Sequence, residues 1–540
     1  MSFFCHPKLK CDCTQATTIW ALITRLPNIC WYSRETDGSN HRKRVRVLKG
    51  KQGSEGLGSR LIQGAAWMVA MRWLMRFIGL FSMAIVARLL VPADFGIFAI
   101  AVTFIGLLDA VADIGSELAI IRHPDPQRQH YDTAWTLRVI MQSSMAAVIA
   151  LAAPLAAYIY GDPRYLDVLY VQALSMFISG FGSIGIADFR RNMQFHKDFQ
   201  YAVMVQVVGV AATIGFAILL HSYWALILGG LARSLFGTLL GYLMHPYRPK
   251  FSLSARDEML GFSFWTMIRS VAIFLSGRGD RLVIGAFYSA SIMGWYAISG
   301  DLAGMAVFEL LHPIGRALFP GMALKQGDAE WERRNLVKIF NGAATISVAA
   351  GVGVAALSLP VLAVVYGSQF APAAPMLQII ALQSAVAGFS QPVGQYFAVL
   401  GKTRELAVLY IFQGIIAVGT AYLLATHHAD ILTIIYAQLG VSLLGLLRLF
   451  LLLRVIKSLG WRDIVIAWTR PLLAGAAMYA VLIALQRTTS FSHGVDLMLG
   501  IPLGALVFCG ALFAAWSLMG RPPGIEGEVI ARLFKQAKQA

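Results

Sequence analysis

Cysteine is scarce in this 540-residue chain: there are five, and Cys5, Cys11, Cys13 and Cys30 all fall near the N-terminus, leaving Cys509 alone in the remainder. A disulfide-stapled scaffold is thereby excluded, and the spacing C-x5-C-x-C fits no usual zinc site, so no metal is expected. Charge is scarce too. Only 14% of residues are Asp, Glu, Lys or Arg, and the 28 acidic residues are outnumbered by 45 basic ones. No G-x-x-x-x-G-K-[ST] occurs, and no polar stretch is long enough to fold as a soluble domain that could host one, so the chain is not itself an ATPase. The same lack of a soluble domain removes any folded basic face for nucleic acid, despite the net charge of +17.

What the chain does have is apolar sequence. It is 57% hydrophobic with a mean hydropathy of +0.64, more apolar surface than a soluble core could hide, so lipid is its solvent. Fourteen stretches have membrane-spanning length: 61–88, 95–121, 134–158, 168–187, 199–220, 224–245, 259–286, 292–312, 336–365, 373–400, 407–426, 431–453, 464–486 and 497–518. The loops between them carry Lys and Arg on alternate sides. Even-numbered loops and the tail hold 21 basic residues, whereas the odd-numbered loops hold only Arg164 and Arg487. Lys and Arg are retained in the cytoplasm during insertion, so both ends are expected there. Anionic phospholipids are the expected partner of that basic face.

The expected fold is an all-α integral membrane protein. Residues 1–56 form a basic extension, containing the run His41-Arg42-Lys43-Arg44-Val45-Arg46, and read either as a cytoplasmic anchor region or as upstream sequence the mature protein lacks. A six-helix lobe over 57–245, a Pro-broken cytoplasmic linker over 246–258 and a second six-helix lobe over 259–457 follow. Two further helices over 458–518 and a tail over 519–540 complete the chain. A shift of 198 residues aligns Ala87–Ala101 (ARLLVPADFGIFAIA) with Gly285–Ser299 (GAFYSASIMGWYAIS), so that Gly96 meets Gly294 and Phe98 meets Tyr296. Six helices per copy is even, so the two lobes enter the membrane in the same sense and are expected to enclose a central cavity. The linker then serves as a tether between rocking halves.

Ionisable side chains inside a bilayer cost about 2.5–3.5 kcal/mol each at a helix centre, so they face a cavity or a partner. The first span carries Arg72 and Arg76 one turn apart. The second carries Asp109, Asp113 and Glu117 in a single i, i+4, i+8 stripe. At 1.5 Å per residue, Arg76 and Asp109 lie roughly 22 and 26 Å from the turn near Val91, so the hairpin could pair them. Two readings stand side by side: static ion pairs within the first lobe, or an anion-binding floor whose ligand competes with the carboxylates. Arg138, Arg233 and Arg269 would extend a basic lining, since the guanidinium fork fits phosphate oxygens; snorkelling or helix packing is the alternative for each. Asp280, between Arg278 and Arg281, and Asp301, on one face with Glu309, are candidates for coupling or gating; otherwise Asp280 only neutralises its neighbours. Gln383, Gln391 and Gln395 share a face beside Pro392 and Gly394, which suits sugar hydroxyls or a hinge.

The stretch ARLLVPADFG after an Arg-bearing first helix, with its degenerate copy DRLVIGAFYSASIMGWYA (Asp280–Ala297), resembles the polysaccharide-export, Wzx-type branch of the multidrug/oligosaccharidyl-lipid/polysaccharide flippase superfamily. The resemblance spans Leu57 to Leu453. It implies a transporter of undecaprenyl-diphosphate-linked oligosaccharide that moves it from the cytoplasmic to the periplasmic leaflet of the inner membrane for exopolysaccharide, capsule or O-antigen. A polysaccharide polymerase and chain-length machinery are the implied partners. Within MRFIG (Met75–Gly79), Arg76 is similar to the Arg-x-x-Gly arginine of the related lipid II flippases. No cofactor is expected; proton or sodium coupling is compatible with the carboxylates. A cation-coupled multidrug exporter of the same fold is the alternative, disfavoured by the basic lining. A polymerase or ligase is disfavoured because every outer loop is ten residues or fewer.

Overall fold

The structure is a computed structural model that describes residues 54–112, 116–123, 125–256, 263–324, 329–399, 403–453, 460–488, 491–520, 524 and 526–527. Among these residues the regular structure is entirely helical. Lipid offers the backbone no hydrogen-bond partner, and a helix satisfies its own. The first half comprises α1 (Ser54–Leu89), α2 (Pro92–Ala112), α3 (Ser116–Arg122), α4 (Arg128–Tyr160), α5 (Arg164–Gly180), α6 (Ala187–Arg191), α7 (Phe195–Leu220) and α8 (Trp224–Met244). The second comprises α9 (Ser263–Arg278), α10 (Asp280–Phe287), α11 (Ala290–Leu324), α12 (Ala329–Ala356), α13 (Ser358–Val365), α14 (Ala374–Val399), α15 (Thr403–Thr426) and α16 (Ile431–Leu453). Then come α17 (Trp461–Thr488) and α18 (His493–Leu518). Two compact units divide within α1, at Met1–Ala70 and Met71–Ala540; the architecture below is that of the second.

Among the described residues, nine helices are long and apolar enough to cross a membrane, and the bent pair Arg164–Gly180 with Ile184–Arg191 makes a tenth. Other apolar stretches are interrupted. The one over 259–286 parts into α9 and α10 at Gly279, and that over 336–365 parts into α12 and α13 at Leu357. The 60° bend after α5 frees carbonyls that must find donors inside the protein. Thr238 Oγ1 donates to Ile178 O (3.2 Å), Arg138 Nη2 to Ser179 O (3.1 Å) and Tyr242 OH to Phe181 O (2.6 Å).

Packing follows the same pattern in both halves. In the first, α4 packs on α5, α7 on α8, and α5 on α8; in the second, α12 packs on α14, α15 on α16, and α14 on α16. The two halves meet chiefly where α2 crosses α11, with α9 also on α2. Glycine permits that crossing. A Cβ at Gly96 would lie 1.8 Å from Ala290 O, and one at Gly294 would lie 2.0 Å from Pro92 O, so backbone touches backbone. These are the two glycines that the 198-residue offset aligns. The same end is fastened by Gln369 Nε2 donating to Leu90 O (2.9 Å), Arg88 Nη2 to Val364 O (2.8 Å) and Tyr160 OH to Leu282 O (3.0 Å). Arg164, one of the two basic residues in the odd-numbered loops, is claimed locally by Asp162 at 2.6 Å. Its hydrogen bond holds the Asp162 carboxyl below the usual range.

The stretch from Pro246 to Arg256 is not a loose tether, because α4 holds it. Tyr247 OH (2.7 Å) and Lys250 N (3.1 Å) both donate to buried Asp132, Ser252 N donates to Thr136 Oγ1 (3.0 Å), and Ala255 N to Thr133 Oγ1 (3.2 Å). Proline removes backbone donors and keeps the chain extended, while side chains of α4 accept from the backbone N–H groups of Lys250, Ser252 and Ala255. This part of the linker belongs structurally to the first half.

The crossing predicts a sharp contrast between glycines. Gly96→Ala should cost at least about 1–3 kcal/mol, the usual range for forced overpacking. Gly230→Ala should cost almost nothing, since nothing lies within 4 Å of its Cβ position. Thermal midpoints of the two purified variants in detergent check this; equal midpoints would mean that the helices do not touch there.

Candidate functional site

Helical spacing puts Arg72 and Arg76 on one face of α1, and both reach the same carboxylate in the other half. Arg72 Nε lies 2.5 Å from Glu309 Oε2 on α11, and Arg76 Nη2 pairs with Glu309 Oε1. Glu309 is 8% exposed, Arg72 26% and Arg76 51%. One buried anion therefore serves two cations, and a net positive charge remains on the wetter side of the cluster. Arg76 thus pairs with Glu309 and not with Asp109, the residue at matching depth on the hairpin. Asp109 is exposed and accepts from Gln142 Nε2 of α4 at 2.9 Å. Matched depth on a hairpin does not say which faces meet, and α1 turns its arginines toward α11. Asp113 lies outside the described residues.

The other basic candidates separate by environment. Arg138 caps the broken end of α5 through Ser179 O, a structural task that the freed carbonyls impose. Arg233, exposed on α8, lays its aliphatic stem against Gly209 of α7. Arg269 is half-buried on α9, within electrostatic reach of Tyr410, and makes no ion pair among the described residues. Beside it, α2 and α9 leave a cleft of about 460 Å³ between the two halves, lined by Gly106, Ala110, Ser270, Phe274 and Arg278 among others.

Asp301, eight residues before Glu309 on α11, and Asp280, which opens α10, differ in their partners. Asp301 accepts from Arg281 Nη2 at 2.8 Å, while Asp280 accepts from Tyr296 OH and from the Arg281 backbone N–H at 2.9 Å. Asp280 thus has a hydroxyl and an amide in contact, and the adjacent guanidinium goes to Asp301. Gln391 is half-buried on α14, next to Pro392 within the same helix; the side chain of Gln395 lies outside the described residues. Gln383 donates to Ser442 Oγ on α16 at 3.3 Å, which ties it to packing. Among the described residues no group of three or more His, Cys, Asp and Glu could hold a metal.

With nine described helices long and apolar enough to span and a cleft between its halves, the protein is a multi-pass membrane protein. The fold is that of solved lipid flippase and multidrug transporter structures. The lipid II flippase MurJ in an inward closed conformation matches with a TM-score of 0.65 at 12% identity, over 83% of this chain and 98% of that one. An inward-facing multidrug resistance MATE family transporter of the MOP superfamily matches with a TM-score of 0.55 at 16% identity, over 71% and 95%. Residues 85–375 match the family described as polysaccharide biosynthesis protein, and the chain belongs to that family. Curated relatives include the lipopolysaccharide biosynthesis protein WzxC of Escherichia coli (strain K12), 25% identical over 63% of this chain and 70% of the relative. Another is the succinoglycan biosynthesis transport protein ExoT of Rhizobium meliloti (strain 1021), 27% identical over 63% and 68%. The chain is a multi-pass membrane protein of the polysaccharide biosynthesis family, with the fold of a solved lipid flippase.

Sequence reasoning passed over Arg470. It is wholly buried on α17 and faces Glu526 of the tail, with Nη1 3.0 Å from Oε1. Asn341 Nδ2 of α12 lies 3.4 Å from that same oxygen and donates to Ala467 O at 3.0 Å. An arginine amid apolar residues of α17 was the available signal, but its partner lies 56 positions away in the tail and no periodicity connects them. Removing one member of a buried pair strands the other charge. Glu526→Gln should therefore destabilise the protein by about 3–5 kcal/mol, and adding Arg470→Met should recover most of the loss. Thermal unfolding of the single and double variants measures both effects; a neutral single variant would show that the pair is wet.

Proposed function

We propose that the protein carries an oligosaccharide linked through a diphosphate to a polyprenyl lipid from the cytoplasmic to the periplasmic leaflet, by alternating access of two lobes. The observation that carries this reading is a cationic excess, two guanidiniums of α1 against one buried carboxylate of α11. A diphosphate is too polar for hydrocarbon, and fixed cations with a bidentate fork offset its lost hydration. Arg72 and Arg76 are the capture site, Arg269 is its extension across the α2–α9 cleft, and Gln391 and Gln395 meet sugar hydroxyls. The cleft between halves gives the polyprenyl tail a route that stays in lipid. The printed names of the relatives, lipopolysaccharide biosynthesis and succinoglycan transport, support the substrate class.

The topology that accompanies this reading has fourteen crossings, two six-helix lobes of one internal repeat and both termini in the cytoplasm. It is supported by the 21 to 2 split of basic residues between loops and by the recurrent pairing of helices in the two halves. On that topology the Gly96–Gly294 crossing closes the periplasmic end, so the cavity loads from the cytoplasmic side. Asp280 and Asp301 are the coupling or gating carboxylates, with Asp280 the stronger proton or sodium site because no side-chain guanidinium among the described residues holds it by a hydrogen bond. Anionic phospholipids face the basic loops, and a polymerase with its chain-length machinery receives the product.

Arg76→Gln and Arg269→Gln proteins, present at normal abundance in the inner membrane, should accumulate lipid-linked oligosaccharide in the cytoplasmic leaflet. Loss of a charge-assisted contact of about 1.5–3 kcal/mol lowers polymer export about tenfold or more. Arginine-to-lysine changes should rescue in part, since lysine lacks the fork. Wild-type export from the doubly neutralised protein would reject the reading.

A further inference from the structure

We infer that Glu309 is a built-in competitor of the substrate's diphosphate, taking Arg72 and Arg76 as the two halves close and so discharging the bound anion. This rests on the proposed capture site and adds to it the residue that empties it. Three observations carry the inference. Both oxygens of Glu309 are committed to the two arginines, Oε2 to Arg72 at 2.5 Å and Oε1 to Arg76. The residue sits on α11, which forms the main contact between halves through α2, while the arginines sit on α1, which leads directly into α2. Any rocking of one half on the other therefore changes the distance between this anion and these cations. The partners are also unequally buried, with Glu309 8% exposed and Arg76 51% exposed. An incoming anion can engage the open N–H groups of Arg76 before Glu309 lets go.

The chemistry makes the two anions exclusive alternatives. Leaving Arg72 and Arg76 without an anion is costly, so an anion on them is favoured whichever way the halves stand. A diphosphate brings more charge and more acceptor oxygens than one carboxylate, and it wins when the halves are apart and Glu309 is distant. When they close, Glu309 arrives with its geometry already set by the packing of α11, at no further cost in translational freedom. Coupling of this kind is reciprocal: closure weakens diphosphate binding, and diphosphate opposes closure by the same factor. The Asp109 carboxylate does not join the competition, because its described partner is Gln142.

The test uses the full chain in lipid nanodiscs with undecaprenyl diphosphate, carrying no sugar, as the probe. Glu309→Gln should bind it roughly tenfold more tightly than the wild type, because the internal competitor is gone, and should nonetheless export less polymer in cells. Arg72→Gln and Arg76→Gln should bind it more weakly. If the arginine variants weaken binding while Glu309→Gln leaves it unchanged or weaker, Glu309 is only a structural counter-ion, and the capture site survives without it. If the arginine variants bind normally, the capture site itself is wrong and the inference falls with it. Should Glu309→Gln fail to fold, Glu309→Asp decides, since drawing the carboxylate back by one methylene should also tighten probe binding; affinity at or below wild type would overturn the inference.

Discussion

Two guanidiniums of α1 share one buried carboxylate, and that carboxylate comes from the other half of the chain. That pairing connects α1 to α11 across 237 residues of sequence and makes the charge state of the site depend on how the halves sit. Breaking such a pair without replacement is costly, whereas exchanging one anion for another need not be. A substrate that carries its own charge can therefore move the halves by supplying what the protein otherwise supplies to itself.

The remaining contacts complement this exchange. At one end, Gly96 and Gly294 bring α2 and α11 into backbone contact, and Gln369 and Arg88 fasten the adjoining chain. Those contacts are short, numerous and built on backbone groups, which suits a closed end that opens as a unit. Further along α1 and α11 the two halves are joined by side-chain charge. The stretch from Pro246 to Arg256 is bound along α4 of the first half. α17 is fixed separately, through the buried Arg470 and Glu526 beside α12.

Much of this was legible in the sequence. Apolar run length located helical segments throughout, and the 198-residue offset singled out the two glycines that touch. The intramembrane arginines were also found, because a charge in an apolar helix is conspicuous wherever it lies. Their partner was not. Depth along a hairpin matched Arg76 to Asp109, but the choice between Asp109 and Glu309 depends on how α1 is rotated, which is a property of packing between distant segments. For the same reason Arg138 read as a lining residue, although the bend after α5 gives it a backbone carbonyl to satisfy. Proline in the linker signalled an extended chain, but not that Asp132, Thr133 and Thr136 would hold it.

The central claim is that a diphosphate and Glu309 exchange on the same two arginines, with the halves moving as they do. Spin labels at exposed Asn192 and exposed Glu405, one on each half at the ends assigned to the cytoplasm, would read that movement directly once the five native cysteines are replaced. Adding undecaprenyl diphosphate should shift the distance distribution to longer values, and undecaprenol, which has the tail without the charge, should leave it in place. A distribution that does not change when the diphosphate is bound would contradict the account.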